Sequence, residues 1–208
     1  QDIRVRMVSH LITIDSALAT LVAQGLGLEK LPAAAESKKT AVINLKPSPR
    51  LSILKNTLHS FKGRHLGLIA SDNIDVRLFT AFKEAALQAQ VTLTLIAPQI
   101  AGITLSDGTK ITAQEKIGSS PSVLYDAVAV ILSHTNAFST MDWHKIAEFI
   151  KDAYLHAKFI GYSQELLPLL NQLSLDPDGG MFLLNNADSV MDFLKACTPL
   201  RYWQRVLD

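Results

Sequence analysis

The middle of this chain alternates between two hydrophobic periods. An apolar run at 65–70 ends in residues 71–73, a cluster of turn and N-cap residues, and a helix-forming segment at 74–87 follows it. The apolar stripe of that segment, at helical spacing, consists of Leu78, Phe82, Ala85 and Ala89. A second, β-branched run lies at 91–97. Strand, helix and strand within about 35 residues predict a right-handed βαβ unit whose two strands are parallel.

The same alternation continues to the end of the chain. Further strands are expected at 127–132, 158–162 and 181–184. Further helices are expected at 143–154, 164–170 and 187–196, the last of them ended by Pro199. A short hairpin is expected around Asp107 and Gly108. The pattern therefore predicts an α/β protein, a three-layer α/β/α sandwich with a mostly parallel sheet.

The first 62 residues have a different pattern. Residues 1–28 are expected to form two short helices, with a cap for the second at Asp15 and Ser16. One apolar face of this segment is formed by Ile3, Met7, Leu11 and Ile14. Two short helices cannot bury a core of their own, so this segment is expected to dock on another structure. Residues 29–62 are punctuated by proline and predict an extended linker, which leaves 63–208 as the compact domain.

The charge balance excludes some classes of partner. The chain has 20 Lys and Arg against 19 Asp and Glu, so its net charge of +1 favours neither nucleic acid nor an anionic membrane. No apolar run reaches the roughly 20 residues that a membrane helix needs, and no signal peptide is recognised. The one cysteine, Cys197, excludes an internal disulfide and is expected to be a core thiol. We therefore expect a soluble, cytoplasmic protein and, because residue 1 is not Met, a piece of a longer chain.

Polar residues follow the predicted strands, where open parallel sheets bind ligands. Four loops follow the strands, and together they hold serine, histidine and carboxylate side chains from which a hydrolytic triad could be assembled: 71–73, 98–99, 133–136 and 163–165. Ser163 lacks the flanking glycines of a nucleophile elbow, and residues 70–74 lack the glycine-rich loop of a nucleotide site. The six histidines are scattered and predict no metal site. Caps and turn formers are the favoured interpretation, with Ser163 and Asp72 as the alternative catalytic candidates.

Three stretches resemble the C-terminal end of the large-subunit haem catalases. The first stretch resembles the last helices after the haem-bearing barrel and consists of residues 4–11, with Asp15, Leu18 and Ala19, and residues 25–28. Residues 45–54 (LKPSPRLSIL) resemble the linker that leaves that barrel, and they are the most specific of the three stretches. Residues 61–208 resemble the appended flavodoxin-like domain, down to the final 202–205 (YWQR). The resemblance covers essentially the whole chain and includes none of the haem core.

The resemblance implies a non-catalytic C-terminal domain of a catalase whose complete subunit decomposes hydrogen peroxide with haem under oxidative stress. It implies no cofactor and no metal in this chain, because the positions that hold haem lie outside it. The implied partners are the rest of the subunit and its homotetramer, and the implied role is stability or assembly. Two alternatives stay open: a chaperone-like module that binds unfolded client proteins, and a hydrolase or amidotransferase relative with residual activity.

The appended domain is also similar to the class I glutamine amidotransferase-like superfamily. Active members of that superfamily carry an acid after the first strand and a cysteine after a later one. Aligned without gaps, the acid position falls on Ile74 and the nucleophile position on Gln164. Where active members have a pair of glycines after the central strand, this chain has Ser133 and His134. Because a Gln amide is no nucleophile and Ile cannot hydrogen-bond a thiol, the resemblance implies a vestigial site.

Overall fold

The computed structural model describes residues 2–39, 42, 44–53, 55–56, 60–134 and 138–207. The chain divides into two compact units, Gln1–Ser52 and Ile53–Asp208. Three positions that the sequence analysis singled out lie outside the described residues: Leu54 of the linker stretch, and Thr135 and Asn136 of the loop after the central strand.

The first unit contains two helices, α1 (Asp2–Ile12) and α2 (Ser16–Gly25). The Asp15 carboxylate caps α2 by accepting the N–H of Leu18 at 2.9 Å, which confirms the predicted cap. The small core that the two helices share consists of Val8, Ala19 and Ala23. Between α2 and a turn of 3₁₀-helix at Pro49–Leu51, the described residues form no helix or strand.

The second unit is built on a six-stranded sheet in which every pair of neighbouring strands is parallel. The strands of this unit are β1 (His65–Ala70), β2 (Thr92–Ala97), β3 (Ile103–Thr104), β4 (Lys110–Ile111), β5 (Glu115–Lys116), β6 (Ala127–Ile131), β7 (Ile160–Tyr162) and β8 (Met181–Leu183). The order in the sheet is β5-β2-β1-β6-β7-β8. β3 and β4 form a separate antiparallel hairpin around Asp107 and Gly108, as predicted.

Helices cover both faces of this sheet. They are α3 (Val76–Gln88), α4 (Thr140–Leu155), α5 (Leu167–Gln172), α6 (Ala187–Ala196) and the short α7 (Gln204–Leu207). Phe82 of α3 and Phe193 of α6 share one core with Leu68 of β1. Ile146 of α4 belongs to a second core with Ile69, the next residue of β1. Because neighbouring residues of a strand point to opposite faces, β1 serves both cores, and the predicted three-layer, flavodoxin-like sandwich is confirmed.

Two details differ from the expectation. The predicted helix at 164–170 begins as a 3₁₀ turn, because Pro168 has no N–H to donate to the carbonyl of Gln164. β5 and α7 were not predicted, because two and four residues are too few to show a hydrophobic period. The crossover from β2 to β6 contains the hairpin, β5 and a 3₁₀ turn at Ser122–Leu124, but no α-helix in its fully described residues 98–126.

Candidate functional site

The carboxyl ends of β1 and β6 are joined through a buried serine. Ser71 directly follows β1 and is 1% exposed. Its hydroxyl accepts the N–H of Ser133, which lies after β6, at 2.9 Å, and the two hydroxyl oxygens are 3.2 Å apart. The Ser71 hydroxyl also donates to the carbonyl of Asp72 at 3.1 Å. Ser71 therefore fastens two neighbouring strand ends to each other.

Ser163, at the end of β7, makes the equivalent link to β6 from the other side. Its hydroxyl accepts the N–H of Leu132 at 2.9 Å and lies 3.4 Å from the carbonyl oxygen of the same residue. Ser163 is 5% exposed, and its backbone is extended, with φ −87° and ψ 159°. A nucleophile elbow holds its nucleophile in a strained turn beside a base, whereas the hydroxyl of Ser163 is bound to backbone groups.

The turn after β1 is held by contacts with β3. Asp72 accepts the N–H of Thr104 at 2.7 Å, and the N–H of Asn73 donates to the Thr104 carbonyl at 2.7 Å. Asn73 has a left-handed φ of 61°, which asparagine tolerates better than most residues. Ile74 is 2% exposed and belongs to the core that contains α3. Ile74, which the sequence alignment placed at the acid position, is thus a packing residue, and the nearby carboxylate of Asp72 closes a turn.

Asp75 is the N-cap of α3, which corrects the expectation that one of residues 71–73 caps this helix. Asp72 and Asn73 instead contact β3 before the helix begins. The Asp75 carboxylate accepts the N–H of Arg77 at 2.8 Å and forms an ion pair with its guanidinium at 2.8 Å. Hydrogen bonds from the Arg77 side chain lower the pKa of Asp75 below its ordinary value. The Arg77 side chain is 89% exposed, so this pair is a surface cap.

The remaining predicted positions do not converge on one point. Gln164 is exposed and starts the 3₁₀ turn that precedes α5. Ser133 is half-buried against Ser71, and His134 is exposed at the border of residues 135–137, which lie outside the described chain. The described hydrogen bonds of the Ser71, Ser133 and Ser163 hydroxyls go to backbone groups or to one another, and none connects one of these three serines to an imidazole or a carboxylate side chain.

The sequence analysis missed a group of buried charges at the amino ends of the strands. Lys158, shortly before β7, is 2% exposed, and its amino group donates to the carbonyl of Ser122. Burial lowers the pKa of Lys158 from 10.5 to about 8; the Arg201 cation adds to this effect, and the carboxylates of Asp152 and Asp126 oppose it. The only signal in the sequence was a lysine at the start of an otherwise apolar predicted strand.

Arg205 fastens the C-terminal segment to the same end of the sheet. Its guanidinium forms a two-pronged ion pair with Asp178 at 2.7 and 2.8 Å and donates to the carbonyl of Lys158 at 2.8 Å. It also lies 4.1 Å from the ring centre of Tyr154, and its side chain is 5% exposed. Gly180 leaves room for it, because a Cβ there would lie 2.7 Å from a guanidinium nitrogen.

Cys197 is fully buried, which confirms the core thiol, and burial raises its pKa well above the ordinary value. In the described part of the chain, no three His, Cys, Asp or Glu side chains are grouped closely enough to hold a metal ion. None of the described helices has both the length and the apolar character to cross a membrane.

Comparison with known families defines the class of protein to which this fold belongs. The family described as the C-terminal domain found in long catalases matches residues 62–207. The chain belongs to this family, and the resemblance read from its sequence is confirmed.

Individual relatives extend the similarity to the first unit. The chain is similar to Catalase C of Rhizobium meliloti, with 38% identity over 205 residues, covering 98% of this chain and 29% of that protein. It is 27% identical over 207 residues to Catalase-B of Dictyostelium discoideum, covering 98% of this chain and 30% of the relative. Catalase HPII of Pseudomonas aeruginosa is also 27% identical over 207 residues, with coverages of 99% and 28%. The chain thus spans less than a third of the length of these relatives.

Proposed function

We propose that this chain is the non-catalytic C-terminal part of a haem catalase, whose complete subunit decomposes hydrogen peroxide to water and oxygen. The family match over residues 62–207 carries the proposal, in a chain that spans less than a third of its catalase relatives. The role proposed for this part is to stabilise the subunit, or its assembly into a homotetramer, in the cytoplasm during oxidative stress.

The polar groups at the carboxyl ends of the strands support a non-catalytic role. Covalent catalysis needs a nucleophile, a group that activates it and donors that stabilise the oxyanion. Here the nucleophile position is the exposed Gln164, the acid position is the buried Ile74, and Ser133 is bound to Ser71. Ser163 is a hydroxyl without an activating partner among the described residues, because its hydrogen bonds go to the backbone of the neighbouring strand end.

The tyrosines of this chain do not fit the role of a haem iron ligand, which is the role tyrosine has in catalases. Tyr125 is buried, and its hydroxyl is bound to a serine hydroxyl. Tyr154 and Tyr202 flank the guanidinium of Arg205. Tyr162 lies in the core beneath α4 and α5. We therefore place the haem of the proposed catalase in another part of the subunit.

The exposed face of α1 supports a contact between this chain and the rest of the subunit. Ile3 and Met7 of α1 are 71% and 51% exposed, Ile14 just after the helix is 75% exposed, and the three line a shallow groove together with Leu11. Apolar side chains that stay exposed along one side of a helix are typical of a surface that another structure covers. The part of the relatives that this chain does not match is more than two thirds of their length and is large enough to cover it.

The experiment compares the complete catalase subunit with the same subunit ended before residue 62. If this domain serves stability or assembly, the truncated enzyme keeps its Soret band and its turnover per haem but loses activity faster on heating or dissociates more readily. Oxygen evolution and size-exclusion chromatography measure these properties. Equal heat resistance and equal assembly of the two forms would exclude the stabilising role. A stoichiometric Soret band and peroxide turnover by this chain alone would exclude the non-catalytic assignment.

Two further assays separate the alternatives. Suppression of client aggregation by this chain, with no loss of stability in the truncated catalase, would support the chaperone-like module instead. Turnover of an ester, peptide or glutamine substrate that Ser163→Ala abolishes in a folded protein would support the enzymatic alternative. We expect neither, and we expect the double replacement Gln164→Cys with Ile74→Glu to remain inactive, because Ser133 and His134 still replace the glycine pair.

The domain division is also a proposal. We propose that residues 63–208 fold independently, whereas residues 1–62 depend on contacts outside this chain. Limited proteolysis is expected to cut first between Leu31 and Lys46 and to leave a resistant piece that begins near Lys62. Uniform resistance of residues 1–62 in a proven monomer would contradict this division.

A further inference from the structure

The crossover from β2 to β6 leaves part of the sheet without a covering helix. On the side of α4, Ile69 of β1, Ile96 of β2 and Ile117, which follows β5, line a cavity of about 320 Å³. α4 forms one wall of this cavity, and the turn at 118–122 lines the other side. The volume lies at the small end of the range that ligand sites occupy, so it suits a small molecule with an apolar body.

The wall formed by α4 carries charges of both signs. Lys145 and Glu148 are three residues apart on one face of the helix, and both line the cavity. Neither forms an ion pair with any residue that the structure describes, although this spacing allows them to pair with each other. Asp152, the third charged residue of the wall, is engaged by the hydroxyl of Ser122 and lies 3.3 Å from the His156 ring.

Gly118 makes room for Lys145 beside the cavity. Its φ is +87°, and a Cβ at this position would lie 2.4 Å from Cδ and 3.1 Å from Nζ of Lys145. Any other residue here would displace the lysine side chain as well as strain the turn. The glycine therefore lets the amino group lie against the backbone of the turn, next to the apolar floor.

We propose that this cavity binds a small zwitterion with an apolar body, the chemistry of a free amino acid with a branched aliphatic or aromatic side chain. The ligand carboxylate pairs with Lys145, its ammonium group pairs with Glu148, and its side chain packs on the three isoleucines. A ligand with only a carboxylate leaves Glu148 unmatched, and one with only an ammonium group leaves Lys145 unmatched. Charge complementarity thus selects the zwitterion.

Titration of the isotopically labelled 208-residue chain with L-leucine and L-phenylalanine, followed by NMR, tests the proposal. We expect saturable shifts of the backbone amide signals of residues 117–120, 122 and 145–152, with a Kd on the order of 1 mM for a ligand of this size. Three analogues of leucine each lack one recognised group: 4-methylpentanoate lacks the ammonium group, 3-methylbutylamine the carboxylate, and glycine the apolar body. Each is expected to bind about 10-fold more weakly or worse.

Variants locate the site. Lys145→Met and Glu148→Gln are each expected to weaken leucine binding about 10-fold, because each removes one charge-assisted contact. Lys151→Met is the matched control: it removes an exposed lysine of α4 that does not line the cavity, and it should leave the Kd unchanged. Lack of saturation at tens of millimolar, equal binding of the analogues, or an unchanged Kd in both variants overturns the proposal. NMR shift changes confined to α5 would indicate binding in the groove between α4 and α5, which Glu148 also lines, and they would overturn the proposal too.

Discussion

The two ends of the parallel sheet use polar groups in different ways. At the carboxyl end, Ser71 and Ser163 are neutral, and their hydroxyls bind the backbone of neighbouring strand ends. At the amino end, Lys158 and Arg205 are cationic groups buried against carbonyls, and Arg205 also binds the Asp178 carboxylate. The end where open parallel sheets usually bind ligands is therefore held together by neutral links, and the buried charges lie at the other end.

This difference shows that a shifted pKa does not by itself mark a functional site. The pKa of Lys158 falls to about 8, mainly because the side chain is buried. Its amino group contacts the carbonyl of Ser122, and its own carbonyl accepts from Arg205, so both ends of the residue hold structure together. A buried charge shifts its pKa wherever it lies; it indicates chemistry only where it faces space that a substrate can enter.

The largest effect is expected at the amino end, from Arg205→Ala. This change leaves the Asp178 carboxylate and the carbonyl of Lys158 without their buried partner, which should lower the free energy of unfolding by about 3–5 kcal/mol. Arg77→Ala is the control, because Arg77 also pairs with an aspartate but is exposed, and little change is expected. Urea denaturation measures both. Equal effects of the two variants would show that burial does not set the strength of these ion pairs.

Lys158→Met tests the buried lysine through pH. The pKa of Lys158 is about 8 in the folded state, against 10.5 ordinarily. Between these two pH values, Lys158 therefore binds fewer protons in the folded state than in the unfolded state. The contribution of Lys158 should therefore raise the free energy of unfolding by about 2 kcal/mol between pH 8 and pH 10. Well below pH 8, where Lys158 is charged in both states, the full cost of burying the charge lowers the stability of the folded state. In Lys158→Met this contribution disappears, whereas the exposed-site control Lys151→Met keeps it. Parallel pH profiles of Lys158→Met and the original chain would contradict the assignment.

At the carboxyl end, Ser163→Ala is expected to act on stability alone. Removing the hydroxyl leaves the buried N–H of Leu132 without an acceptor, at a cost of about 1–2 kcal/mol in the free energy of unfolding. Ser163→Thr keeps an acceptor and serves as the comparison, with its extra methyl as the remaining difference. If Ser163→Ala is as stable as the original chain, the hydroxyl does not form the link between β6 and β7 that the structure shows.

The smallest effect is expected at Gln164, the residue that the sequence alignment placed at the nucleophile position of the amidotransferase-like superfamily. Gln164→Cys changes an exposed side chain outside both cores, so the free energy of unfolding should change by no more than about 0.5 kcal/mol. A thiol-reactive reagent should label the new cysteine at an ordinary rate and leave the buried Cys197 unlabelled in the folded chain. Strongly accelerated labelling at residue 164 would show that an activating environment persists there.

The sequence determined the elements whose causes are local. The apolar period of α3, the cap at Asp15 and the hairpin at Asp107 and Gly108 depend on residues a few positions apart, and all three are present as predicted. The alternation of strands and helices in the second unit likewise predicted the three-layer sandwich that the structure shows. The N-cap of α3 was predicted among residues 71–73 but is Asp75 in the structure. The prediction was wrong because Asp72 is held by β3, through a contact that spans 32 residues.

The tertiary structure alone decided which polar groups meet. Ser71 and Ser133 are 62 residues apart, Ser163 binds a residue 31 positions away, and the partner of Arg205 lies 27 positions before it. Nothing in the local sequence distinguishes these side chains from solvated turn formers or surface charges. They come together because strands distant in the chain are neighbours in the sheet, and because a buried donor or charge is stable only where a partner from another element meets it.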